Sequence, residues 1–192
     1  MANKVKFGLS NVYYSVVTET YVASTNTYTY SYATPVALRG AVNLSLDAQG
    51  ESTSFRADNV DYYTSVSNNG YEGSLELALV PDDFKIACLG CSTDQNGVIY
   101  ETVNDKALAF ALLFQFEGDE KARRHVLYNC KASRPAVASQ TTEETIDPVT
   151  ESLDITATGR LSDGLVKAST VDGDSSSQQY TDWFTTVYTP VI

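Results

Sequence analysis

Three cysteines, Cys88, Cys91 and Cys130, and a single histidine, His125, are the residues best suited to metal or thiol chemistry. Cys88-Leu-Gly-Cys91 has the C-x-x-C spacing used by zinc sites and by thiol–disulfide exchange. A zinc site needs four ligands, and only Cys130 and His125 remain to complete one. A redox pair would sit at a helix start within a βαβ pattern, which this sequence lacks. The odd cysteine count argues against a disulfide framework. Reduced cysteines around the end of a short helix are therefore expected. Carboxylates occur in adjacent pairs at Asp82-Asp83, Asp119-Glu120 and Glu143-Glu144. Glycosidase chemistry holds two carboxyls at a fixed separation across a cleft, which neighbours in turns or at helix starts do not do. His125 follows Arg123 and Arg124 and reads as a strand-surface residue. Gly-x-Gly-x-x-Gly and phosphate-loop patterns are absent. No catalytic residue, cofactor or metal is expected, and the chain does not read as an enzyme.

The elements that would carry these residues are mostly strands. Period-two alternation sets Val42, Leu44 and Leu46 against Asn43, Ser45 and Asp47. It recurs with Leu75, Leu77 and Leu79 against Glu72, Ser74 and Glu76, and with Leu153 and Ile155 against Asp154 and Thr156. Such segments belong to sheets with one face on a core and one face in water. Phe110, Leu112, Phe114 and Phe116 share one face of another strand, whose reverse carries Ala111 and Leu113, so it is expected to be buried on both sides. Ala48-Gln-Gly50, Asn69-Gly70, Asn96-Gly97, Asp163-Gly164 and Asp172-Gly173 supply turns between strands. One helix is predicted over Pro81–Gly90, with proline near its start, acids in its first turn and glycine past its end. Residues 178–187 are ambiguous. The predicted fold class is mainly β: an antiparallel β-sandwich or barrel with one short flanking helix.

Three segments do not read as core strands. Val12–Pro35 is crowded with Ser, Thr and Tyr; 51–70 is longer than a usual hairpin connection; 135–151 reads as an exposed acidic link.

The chain has 192 residues, the length of one domain (1–192), with 1–12 and 178–192 as candidate arms. The opening MANKVKFGLSNVYYS has no apolar stretch or cleavage site, so no secretory signal is expected, and no apolar run is long enough to span a bilayer. Acids outnumber bases 24 to 13, a net charge of −11, which argues against gripping nucleic acid. Thirteen tyrosines are an unusual surplus and suit interfaces. Lys121, Arg123, Arg124, Lys131 and Arg134 gather basic charge into one segment, a candidate to dock an acidic surface of another copy.

In order along the chain, YATPVALRGAVNLS (Tyr32–Ser45), FRADNVDYYTSVSNNGYEG (Phe55–Gly73), LVPDDF (Leu79–Phe84), FALLFQF (Phe110–Phe116), RHVLYNCKASRP (Arg124–Pro135) and YTDWFTTV (Tyr180–Val187) resemble the major tail protein of long-tailed bacteriophages. Cys88 and Cys91 depart from that family's usual charged residues. The resemblance implies a tail-tube-like fold and a structural virion protein, made in the host cytoplasm, whose hexameric rings stack into a hollow tube. It implies contact with tape measure, tail terminator and distal tail proteins, and DNA that passes through without specific binding. Four strands from each of six subunits would give a barrel of ~24 strands, roughly 45–50 Å across. On this basis Asn43, Ser45, Asp47, Glu72, Ser74, Glu76 and Asp154 are expected to face the lumen. Asn59, Tyr62, Tyr63, Lys121, Arg123, Arg124, Trp183 and Phe184 are expected at contacts between subunits or rings. The competing reading is a carbohydrate-binding β-sandwich module, which would gather exposed aromatics on one sheet face.

Overall fold

The computed structural model describes residues 3–141, 148–171 and 176–190. The Asp172-Gly173 turn and the acidic residues Glu143, Glu144 and Asp147 lie outside them. In chain order the strands are β1 (Lys6–Val22), β2 (Thr27–Tyr32), β3 (Val36–Ala37), β4 (Ala41–Gln49), β5 (Ser52–Ala57), β6 (Val60–Val66) and β7 (Gly70–Leu77). After a short helix, α1 (Asp82–Phe84), come β8 (Ser92–Thr93), β9 (Ile99–Tyr100), β10 (Phe110–Gly118), β11 (Arg123–Ala132), β12 (Glu151–Ala157) and β13 (Lys167–Ser169). A last helix, α2 (Gln178–Thr181), tightens into a 3₁₀ turn over Asp182–Phe184.

One antiparallel sheet organises the molecule, in the order β2-β1-β10-β11-β12-β7-β4, with β3 on β1 and β13 on β11. It curls until β4 lies near β1 without hydrogen bonding to it, so the architecture is sandwich-like and not a closed barrel. The curl encloses the main core, built from the reverse faces of β7 and β12 (Leu75, Leu77, Leu153, Ile155) against Phe110, Leu112 and Leu127. Across β10 a second cluster forms from Ala111, Leu113, Val126 and Tyr128, covered by Trp183 and Val187. Alternation therefore sends β10 into two cores, as its double-sided apolar pattern predicts.

Several sequence expectations are corrected. Val42 is 55% exposed, because the register shifts between Ala41 and Asn43 and turns it out of the apolar row. Leu79 is 64% exposed, because β7 ends at Leu77. Val12–Pro35 holds most of strand β1, which is paired on both sides, and its partner β2; the hydroxyl-rich composition hid a buried strand. Val12, Tyr14, Ser15 and Val17 are buried, and the Ser15 hydroxyl donates to the Ala33 carbonyl at 2.6 Å. Within 51–70, Ser52–Ala57 and Val60–Val66 form a hairpin of their own, β5–β6, and Gly70 begins β7.

The predicted helix is present, but only Asp82–Phe84 is α-helical. Lys85–Leu89 continues as a π-helical turn that Gly90 ends at φ 85°. Its anchor is Phe84, packed edge-on to Tyr14 and Phe110 at 5.0 and 5.3 Å. Cys88 on this turn and Cys130 on β11 are buried and Cys91 is half-buried, and all three are free thiols. Burial pushes the Cys88 and Cys130 thiols up to about 12, far from the thiolate that reactivity needs.

Candidate assembly surface

Three neighbouring strands build a continuous polar face. Asn43 on β4 stands opposite Glu76 on β7, which stands opposite Ser152 on β12. The next row is Ser45–Ser74–Asp154, and the third is Asp47–Glu72–Thr156. Sheet register thus collects all seven residues of the alternating polar set onto one surface, while Leu75, Leu77, Leu153 and Ile155 fill the core on the reverse and Leu44 and Leu46 pack against it. Asn43, Ser45, Asp47, Glu72 and Asp154 are exposed; Ser74 and Glu76 are half-buried. Asp47 and Glu72 are direct cross-strand neighbours of like charge, an arrangement that costs stability where it serves no purpose. Lys131 ends the third row, opposite Thr156.

The β5–β6 hairpin contributes nothing to either core. Phe55, Val60, Tyr62, Tyr63 and Val66 are each at least 57% exposed. Phe55 is paired with Tyr63, and Ala57 with Val60, so one side of the ribbon is an apolar stripe. The tip is a two-residue turn in which Asp58 and Asn59 both adopt positive φ, 51° and 62°. An exposed ion pair, Arg56 to Asp61 at 2.9 Å, lies beside it. A two-stranded ribbon of this kind is marginal alone in water. Its large exposed apolar side chains are what an interface would cover.

Strand β11 deals the basic segment to opposite sides. Arg123 faces the main-core side, where its Nε donates to the Thr170 carbonyl at 2.9 Å. Arg124 faces the C-terminal segment: its guanidinium lies 3.8 Å from the Tyr180 ring centroid and 4.9 Å from that of Phe184, and it donates to the Tyr180 carbonyl. Trp183 is 3% exposed, and its indole N–H donates to the His125 carbonyl. Phe184 stacks on Tyr13. Arg124, Trp183 and Phe184 therefore fasten residues 178–188 to the chain's own sheet. Arg134 pairs with Glu101, and Lys121 is exposed. Near the other terminus Asn3 bonds to the backbone of Glu120 and Lys121.

His125 does not lie on a solvated strand face. Its ring stacks on Phe114 at 5.1 Å and contacts Phe116, half-buried in a cavity beside β13. Burial, then the nearby charges of Lys167, Arg123 and Lys6, hold its pKa down to about 4. The buried tyrosines are also committed within the chain. Tyr128 donates to the Tyr188 carbonyl, and Tyr32 accepts from Arg160, whose guanidinium is paired with Asp163. Among the described residues no group of three His, Cys, Asp or Glu could hold a metal.

A polar sheet face with the core on its reverse and an uncovered apolar hairpin are features of a subunit built to meet other copies. The family model of phage tail tube proteins matches residues 16–171. The chain belongs to the phage tail tube protein family. It is thus a structural component of the phage tail. The matched span of this tail tube protein runs from within β1 to just past β13 and includes the whole polar face and the hairpin. The C-terminal segment carrying Trp183 lies outside it. No curated protein matches the chain.

Sequence reading missed Phe55, Val60, Val66 and Asp58 as surface features. The signal available was Asp58-Asn59 between alternating residues, a turn pair not ending in glycine. The cavity around His125 had no signal, since Lys6, Tyr71, Arg123 and Lys167 are scattered across the sequence.

Proposed function

We propose that the chain is the tail tube subunit itself: six copies close a ring, rings stack, and the polar face of β4, β7 and β12 lines the passage for DNA. The observation that carries the reading is the three-strand grid of Asn43, Ser45, Asp47, Glu72, Ser74, Glu76 and Asp154, wet in the single chain and backed by the core. Six copies at −11 amount to 6 × −11 = −66 per ring. Carboxylates on the wall repel phosphate, so DNA slides without the counterion release that makes basic proteins hold it.

Contacts between subunits are assigned first to the hairpin, through Asn59, Tyr62 and Tyr63, and to the exposed Lys121 beside Arg123. Arg124, Trp183 and Phe184 reach a neighbour only by releasing residues 178–188 from their own sheet, so the arms at 1–12 and 178–192 are a second set. Tape measure, tail terminator and distal tail proteins are the partners this role requires, and the host cytoplasm is where the subunit is made.

Negative-stain imaging of the purified chain tests the reading: rings or tubes are expected, and a carbohydrate-binding module would stay monomeric. Deleting 57–68 should leave soluble subunits that do not polymerise; wild-type tubes from that variant would remove the hairpin from assembly. A tube structure with Asp47 and Glu76 on the outside would refute the lumen assignment.

A further inference from the structure

Between the start of β1 and the inner side of β4 the curled sheet leaves a cavity of about 580 Å³. Its lining is cationic and aromatic in a chain where acids dominate. Lys6 lies over Phe116 at 5.5 Å and Lys167 over Tyr71 at 4.6 Å. Lys4 and Arg123 complete the basic lining, and His125 stacked on Phe114 is part of the wall. None of these four cations makes an ion pair among the described residues. The single carboxylate in the lining, Glu117, is already committed, accepting from Ser10 at 2.6 Å and Gln115 at 2.9 Å. Cations without ion-pair partners around aromatic rings that line an open cavity leave a site for a group that is both anionic and apolar.

We propose that this cavity receives the tip of the β5–β6 hairpin of a second copy, with Asp58 set among Lys6, Arg123 and Lys167 and Val60 against the aromatic rings. The proposal rests on the reading of the chain as a self-assembling tube subunit, and adds the receptor that reading lacks. Rings and stacks need a heterologous contact, one patch meeting a different one, and tip and cavity are such a pair. The positive-φ pair Asp58-Asn59 makes the tip two residues wide, narrow enough to enter. Asp61 is held by Arg56, which leaves the Asp58 carboxylate as the charge to offer. Val60, 57% exposed on the free chain, loses its water in the same step.

The test uses the full chain carrying Cys91→Ser, which removes the one thiol that is not buried. Asn59→Cys protein and size-tagged Lys6→Cys protein are mixed under mild oxidation, with imaging of the same samples. A mixed cross-linked dimer on a non-reducing gel is the expected result. Asp58→Asn, which keeps the left-handed turn, should raise the concentration needed for assembly about tenfold. Rings or tubes that form without the mixed cross-link, or that are indifferent to Asp58→Asn, overturn the tip-to-cavity contact and leave the tube reading standing. A wild-type chain that forms no oligomer overturns both.

Discussion

His125 shows how a residue with catalytic potential is turned into a structural one. Its ring is packed on Phe114 and Phe116 among Lys167, Arg123 and Lys6, so it is neutral when folded down to about pH 4. The unfolded chain takes up a proton near pH 6.5, well before the folded chain does. Stability from this site is therefore complete above the unfolded value and falls as pH drops from about 6.5 toward 4, by about 3 kcal/mol in all. Glu117 and Asp163, whose carboxyls are held below their ordinary values by hydrogen bonds, lose their contributions only at lower pH. Urea midpoints of the unassembled subunit should fall between about pH 7.5 and about pH 4.5, and His125→Phe should flatten that fall. An unchanged slope in the variant would assign the dependence to other groups. Arg160 gives a second residue-scale outcome. It is 6% exposed, paired with Asp163, bonded to Tyr32 and placed over the Tyr128 ring at 5.3 Å. Asp163→Asn leaves that guanidinium buried with half its partners gone. A loss of about 1–3 kcal/mol in chemical denaturation is expected, below the cost of a fully buried pair because Asp163 is partly exposed.

At the scale of elements, the edge strand β4 depends on one glycine of its neighbour. A Cβ on Gly73 would lie 1.9 Å from the Ser45 carbonyl oxygen, so any side chain there must push β4 away from β7. Gly73→Ala should cost about 1–3 kcal/mol and deprotect β4 amides in hydrogen exchange more than those of β10. The same elements show what a sequence can and cannot say. β4, β7 and β12 were legible because each has one wet face, which writes a period of two. That pattern also named the polar grid residue by residue, while only the fold supplied the register that sets Asp47 against Glu72. β1 was illegible because it is buried on both faces, with Tyr14 on one and Ser15 on the other, and the Ser15 hydroxyl is satisfied by the Ala33 carbonyl, so polarity did not mean exposure. The basic segment misled for the opposite reason: a strand separates adjacent residues, and Arg123 and Arg124 end on different sides.

For the whole molecule, charge is the property that a tube would multiply. A net −11 per chain adds little to a folding argument, but in the proposed ring the carboxylates of the polar face would stand across a confined channel from one another, where their fields would sum. The quadruple change Asp47→Asn, Glu72→Gln, Glu76→Gln and Asp154→Asn takes the chain from −11 to −11 + 4 = −7 without altering side-chain volume. It also removes the like-charge pair between β4 and β7, so subunit stability should hold or rise by a few tenths of a kcal/mol. Assembly should proceed, since these groups lie on neither the hairpin nor the cavity. What should change is the passage of DNA. A neutralised wall no longer repels phosphate, so that repulsion no longer keeps the duplex off the wall. Particles built with the variant should release their DNA more slowly than wild type, with the difference shrinking as added salt screens the wild-type wall. Equal release rates at low salt would remove the acidic grid from transport and leave it as the solvated outer face of the sheet.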